Sequence, residues 1–512
     1  MSCILACDIG ATSIRAALVD RRGEIIACRR AEAPREGTGG GRSEVEADAW
    51  WLQFEALASA LAADNDAALR TVEAVAVCGV TRTQVILGGD GRPLRPAITW
   101  RDTRAETDAA RLLARLPAAH PERARVNAFH PLARLAWLKE HEPETVQAAV
   151  AVIEPKDYVN FRLTGRIATD AISSARLLAA AARADGGSLL AAAGLPDTIV
   201  PPCLEPTEAV GPIASGQKGA LARLEGRPVF CLANDTWAAV LGMGALRPGH
   251  AFNISGTTEV IGVVGAAPAV AEGLMSVPWG DGLHQLGGPS QNGADTAAWL
   301  LELLGAPGGE IGSALERLLE RPRNSQPVLF LPYLQGERTP HWDSALRGAA
   351  LGLNRGHTAS DLGWSVLEGI AFLNRLVLER AEAALGTPVV EIRFGGGGAA
   401  NETWCQVKAD ITERTIVVGA CAEPGLAGCA LAARVGLKQY PALAAAQEAL
   451  VRTARRYPPR PEYADTYRRL YALYRDAETA LRPLSHALST IDGRRDRLPG
   501  VPANAGKEML PQ

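Results

Sequence analysis

The chain has 512 residues, 47% of them hydrophobic and 21% charged, and 53 Lys+Arg against 56 Asp+Glu leave a formal net charge of −3. That composition excludes disorder over most of the length and argues against a nucleic-acid or acidic-lipid partner. At about 150 residues per domain it predicts two large or three ordinary units, and no run nears the roughly 18 apolar residues of a membrane span.

In chain order, Cys3–Asp8 reads as a strand, Ile9–Ser13 as a turn and Ile14–Val19 as a second strand. A turn at 21–23 then leads into Glu24–Cys28, making an antiparallel meander. Ala47–Ala63 has helical period, with Trp50, Trp51, Leu57 and Leu61 on its core face. Val72–Cys78 is a buried strand, and Val85–Leu87 opens a hairpin that turns at 88–91 and returns to Trp100. Alternating strands and helices follow, which is an α/β pattern. Pro228–Leu232 ends beside Asp235, ahead of a small-residue helix pattern over 238–245. At that position an aspartate either points into a cleft or caps the helix. Further on, Val389–Phe394 runs into Gly395–Gly398 and a helix starting near Asn401. Tyr463, Tyr467, Leu470, Tyr471, Leu473 and Tyr474 are spaced for a C-terminal helix, and residues 483–512 read as a loosely ordered tail.

Asp8-Ile9-Gly10-Ala11-Thr12-Ser13 is echoed 245 residues later by Asn253-Ile254-Ser255-Gly256-Thr257-Thr258, again between apolar strands. The echo predicts two related halves, 1–246 and 247–482, joined near Pro248-Gly249. Small residues and hydroxyls in such turns let backbone N–H groups converge on an anion, and Asp8 sits where a carboxylate can orient Mg²⁺ waters. Only six of the 53 basic residues are lysine, and none stands in the glycine spacing of a P-loop. A phosphate cradle here is therefore built of backbone and hydroxyls. The nine cysteines show neither C-x-x-C spacing nor clustered histidines, so they read as reduced and mostly buried. The start lacks the basic segment and long apolar core of a signal peptide, and a cytoplasmic location is the expectation.

Taken together, these motifs resemble the FGGY family of carbohydrate kinases, most closely its xylulokinase-like members. The resemblance runs from about Cys3 to about Asp476. It is carried by Phe330–His341 (FLPYLQGERTPH) with Arg347-Gly348, by Gly395–Gly398 with Trp404, by Pro96–Arg104 (PAITWRDTR), by Glu154–Gly165 (EPKDYVNFRLTG) and by Val45–Trp51. It implies an α/β fold of two ribonuclease-H-like domains with a catalytic cleft between them. It further implies ATP-dependent phosphorylation of a sugar hydroxyl, D-xylulose first, with another pentulose, a sugar alcohol or a sugar acid as alternatives. A catalytically silent binding protein on the same fold is the reading from another class. By the same resemblance Asp235 is the general base, and Asp8 (with Mg²⁺), Thr12 and Ser13 form the first phosphate motif. Gly256 and Thr257 form the second, and Gly396, Gly397 and Asn401 the adenosine motif. Thr81, Arg82, Asp102 and Asn234 face the sugar, and a homodimer is expected from the family alone.

The sequence departs from the family in three places. Val80-Thr81-Arg82-Thr83 stands where Gln-Met-His-Gly is usual, so Arg82 can bind hydroxyls, bind a substrate carboxylate or pair with Asp102. Leu232-Ala233-Asn234 replaces glycines before Asp235. Ala11 stands where Thr is common, and Gly256-Thr257-Thr258-Glu259 replaces Gly-Thr-Ser-Gly. Glu337-Arg338 reads as a structural ion pair near the cleft.

Overall fold

The computed structural model describes residues 2–305 and 311–491. Its first sheet has six strands, and its central strand is Cys3–Ile9. Ser13–Asp20 lies antiparallel on one side of it, followed by antiparallel Ile25–Glu32, as the meander predicts. Val72–Gly79 lies parallel on the other side, then Pro228–Phe230, then Ala209–Pro212 at the edge. Burial follows the two-residue period of a strand with both faces covered. Cys3, Leu5, Cys7 and Ile9 enter the core that includes Trp50, Trp51, Phe54, Leu57 and Leu61 of the helix Ala47–Asp64. Ile4 and Ala6 enter the opposite core, with Trp237, Leu241, Leu426 and Ala430.

The second sheet repeats this plan. Ala251–Ser255 is antiparallel to Glu259–Gly265, which is antiparallel to His284–Pro289. On its other side Ala251–Ser255 is parallel to Glu391–Gly395, itself parallel to Thr415–Gly419. Edge strands Met275–Pro278 and Thr453–Tyr457 complete seven. The echoed turns thus occupy the same place in two sheets of the same topology. The hairpin from Val85 is shorter than its pattern suggests: Val85–Gly88 pairs with Ala149–Ile153, and only Ala97–Ile98 is a strand before Trp100.

Two helices join the halves. Asp235–Met243 crosses Pro424–Gly436, and a Cβ at Gly242 would overlap the Pro424 carbonyl oxygen, one at Gly428 the Ala238 carbonyl oxygen. Only glycine permits this backbone approach.

At the C-terminus the helix Ala464–Thr490 runs through Pro483, so residues 483–490 are helical and correct the expected start of the tail; residues 492–512 lie outside the described part. Side chains around the proline hold the helix in place: Arg482 Nη2 is 3.0 Å from His341 Nδ1, and His486 Nε2 is 2.8 Å from Asp343 Oδ2. Tyr467, Leu470, Tyr471 and Tyr474 are buried as expected, whereas Tyr463 and Leu473 are exposed. All nine cysteines are free and six are buried. Among the described residues no helix is long and apolar enough to cross a membrane.

Candidate active site

Parallel strands release their loops at one end, and that end gathers the candidate residues. Gly79 forms a bridge with Asn234, so the loop 80–84 and the start of the helix Asp235–Met243 emerge side by side next to Asp8. Asn234, not Asp235, caps that helix: its Oδ1 accepts from Trp237 N at 2.9 Å. The Asp235 carboxylate is therefore not spent on the cap. Among the described residues its Oδ1 accepts from Thr236 alone, at 2.6 Å from the N–H and 3.2 Å from the hydroxyl. Burial, and next the Asp8 charge, push its pKa up to about 7, while the Thr236 bonds and Arg15 pull against them. A carboxyl poised there suits general-base work near neutral pH.

The tight first turn places Asp8 directly opposite Arg15. Arg15 Nη2 lies 3.4 Å from Asp8 Oδ2, and its Nη1 bonds Glu423, which precedes the helix Pro424–Gly436. Gly425 in the first turn of that helix packs over Asp8, where a Cβ would sit 3.0 Å from Oδ2. Two helix N-termini, at Asp235 and Gly425, thus converge beside the first turn, an arrangement suited to phosphate. In the first turn Thr12 is exposed and Ser13 buried; in the second, Gly256 and Thr257 are exposed. Gly10 N bonds Ser13 O at 3.0 Å in the loop between the paired Ile9 and Ile14, whereas Gly256 N bonds Thr258 O at 2.9 Å between the paired Ser255 and Glu259, so the second turn is one residue shorter.

Glu259, the departure in the second turn, faces inward. Both its oxygens accept from buried Lys408 Nζ, at 2.9 and 3.0 Å, and Oε2 accepts from Asn374 Nδ2 at 2.9 Å and Asn253 Nδ2 at 3.2 Å. Next to it, the glycines leave the strand Glu391–Gly395. Gly396 has φ +83, and a Cβ there would overlap the Ser255 carbonyl oxygen, whereas Gly397 faces open space. Asn401 Oδ1 caps the following helix by accepting from Trp404 N at 2.8 Å, leaving its Nδ2 buried and without a hydrogen-bond partner among the described residues.

On the acceptor side the structure corrects three expectations. Asp102 is fully buried and its oxygens are taken by Arg104 and by Ser43 N at 2.7 Å, so it anchors the 100–104 loop rather than facing a sugar. It does not pair with Arg82. Glu337 accepts from Gln291 N, Asn292 Nδ2 and Ser290 Oγ, while Arg338 Nη2 donates to Ser290 O at 2.9 Å, so these neighbours form no ion pair with each other. Thr81 Oγ1 is engaged by Ser173 O at 2.9 Å. Arg82, with φ +58, is held in that left-handed turn by others. Its N–H and that of Thr83 donate to Glu154 at 3.1 and 3.0 Å, and its carbonyl accepts from the Arg134 guanidinium at 2.7 Å. Arg15, Glu423, Glu154 and Arg134 are the functional neighbours that sequence reasoning missed. Only Arg15 carried a signal, because a tight turn over 10–13 sets it opposite Asp8.

The sequence model of the FGGY family of carbohydrate kinases matches residues 3–242 with its N-terminal domain and 251–437 with its C-terminal domain. The chain belongs to the FGGY family of carbohydrate kinases. Among curated relatives, a xylulose kinase from Streptomyces coelicolor is 30% identical over 81% of this chain and 84% of its own. One from Bacillus subtilis is 27% identical over 96% and 99%. Among solved structures, a xylulose kinase from Rhodospirillum rubrum superposes with TM-score 0.83 at 27% identity, covering 94% of this chain and all of that one. The FGGY fold, two α/β domains of the ribonuclease-H kind, accounts for the repeated sheets.

Proposed function

We propose that this carbohydrate kinase transfers the γ-phosphoryl group of ATP to a sugar hydroxyl, with D-xylulose as acceptor and D-xylulose 5-phosphate as product. The observation that carries the transfer is Asp235: uncapped, at a helix N-terminus, beside Asp8 and raised to about 7. The names of the relatives support the acceptor. Asp235 accepts the acceptor's hydroxyl proton as the P–O bond to the sugar forms and the bond to the β-phosphate oxygen breaks, releasing ADP. Such a base contributes about 10²- to 10⁴-fold. Phosphoryl transfer otherwise asks for positioning and charge stabilisation. Thr12, Ser13, Gly256 and Thr257 supply donors, Arg15 supplies a cation, and Gly396, Gly397 and Asn401 take the adenosine.

Asp8 would hold Mg²⁺, which leaves Asp235 free to act as the base. A carboxylate beside the turn that would bind phosphate fits that ion, which keeps most of its shell from substrate and solvent. When bound, it would offset charge on the transferring phosphoryl group. The proposal divides the chain near residue 246 into an acceptor half and a nucleotide half, in a cytoplasmic protein that forms a homodimer. ADP release on adding D-xylulose to enzyme and Mg·ATP tests it; nucleotide binding without turnover across a sugar panel would favour the silent binding protein.

A further inference from the structure

Glu259, which stands where the family has glycine, closes the 256–258 turn by pairing with Ser255, and its carboxylate is fully buried. Four hydrogen bonds reach its oxygens: two from Lys408 Nζ, one from Asn374 Nδ2 and one from Asn253 Nδ2. That acceptor-only pattern is the one an ionised carboxylate takes. Lys408 is buried as well. Its ammonium also donates to Asn374 Oδ1 and lies 5.0 Å from the Phe394 ring centroid and 5.3 Å from that of Trp404. Burial pushes the Lys408 ammonium down and Glu259 acts the other way, so the two charges sustain each other.

These partners come from four elements. Asn253 and Glu259 stand on the strands either side of the turn, Asn374 on the helix Ala359–Leu385, and Lys408 on the helix Glu402–Thr412 that Asn401 caps. Phe394 belongs to the strand that leads into the glycines. Lys408 thus sits between the two segments proposed for the nucleotide, the 256–258 turn and residues 395–401. The turn is also held from the side of the following helix, where Ala294 N and Asp295 N donate to the Gly256 and Thr257 carbonyls at 3.1 Å each. So held, it cannot easily swing away from the Glu259 charge. Thr257 is two residues from Glu259, at most about 7 Å along the chain. An uncancelled carboxylate so close would oppose a polyphosphate. Two unit charges about 10 Å apart at an effective dielectric of about 20 alter an affinity roughly tenfold.

We propose that Lys408 is a positioning residue of the nucleotide site that acts through Glu259: from inside the domain it fixes and cancels the negative charge that this chain carries beside the 256–258 turn. The lysine serves phosphate binding without reaching the phosphate. The inference rests on the reading that this turn takes the phosphates of ATP, and it adds the residue on which that binding depends.

The test is calorimetric titration of the full-length protein with Mg·ATP and, separately, with adenosine at pH 7. The two single variants should shift in opposite directions. Lys408→Met leaves the carboxylate alone and should weaken Mg·ATP binding at least tenfold. Glu259→Gln leaves the ammonium alone and should tighten it at least threefold. The double variant should return to within threefold of wild type, and adenosine, which carries no phosphate, should stay within twofold throughout. Thermal melting verifies that each variant folds; if Lys408→Met does not, the direction in Glu259→Gln and the value for the double variant decide. Weaker Mg·ATP binding in both single variants, unchanged binding in either, or equal shifts for Mg·ATP and adenosine overturn the charge-cancelling role and leave the nucleotide reading standing. Failure of wild type to bind Mg·ATP overturns both.

Discussion

The pH dependence of turnover follows from where Asp235 sits. A carboxyl at about 7 is half deprotonated at pH 7, about 9% at pH 6 and about 91% at pH 8. Only the deprotonated form can accept the acceptor's proton, so activity is lost as pH falls through 7 and kcat/KM rises about tenfold from pH 6 to pH 8. Removing Arg15 perturbs this in a defined direction. Its charge lowers the Asp235 pKa, so Arg15→Gln moves the acid limb toward alkaline pH, in addition to any loss of phosphate binding. The assay is initial-rate ADP release at subsaturating acceptor and saturating Mg·ATP from pH 5.5 to 8.5, on wild type and Arg15→Gln. A profile flat down to pH 5.5 would show an ordinary exposed carboxylate, or none, at the proton transfer. An acid limb shifted downward in Arg15→Gln would refute the electrostatic account of the site.

Lys408→Met leaves Glu259 buried beside the 256–258 turn without its cation, and urea unfolding should show a loss of about 3–5 kcal/mol; adding Glu259→Gln should restore part of it. Gly396→Ala forces a side chain into the Ser255 carbonyl oxygen at φ +83, so calorimetric titration should show ATP affinity falling at least tenfold with the sugar site intact.

The frame of the molecule was readable because local pattern sets it. Alternating apolar runs around 9–13 and 255–259 predict two strand–turn–strand units, and the structure sets both in sheets of one topology. Asp235 was legible as a strand-end carboxylate, but whether it capped its helix depended on Asn234 taking that bond first. The acceptor side resisted for a different reason. Asp102 is satisfied two residues away by Arg104, and Arg82 is held by Glu154 and Arg134 from 72 and 52 residues off. Such partners are chosen by packing that no periodicity reports. Pro483 misled in the opposite sense, since a proline usually ends a helix but here tertiary contacts by Arg482 and His486 carry it on.

The central claim, phosphoryl transfer with Asp235 as base, is tested most directly by comparing wild type with Asp235→Asn. Acceptor-dependent ADP release is measured at pH 8, with ATP affinity titrated on both proteins. The account predicts a kcat lowered about 10²- to 10⁴-fold with ATP affinity within about threefold of wild type. Near wild-type kcat in Asp235→Asn would contradict it.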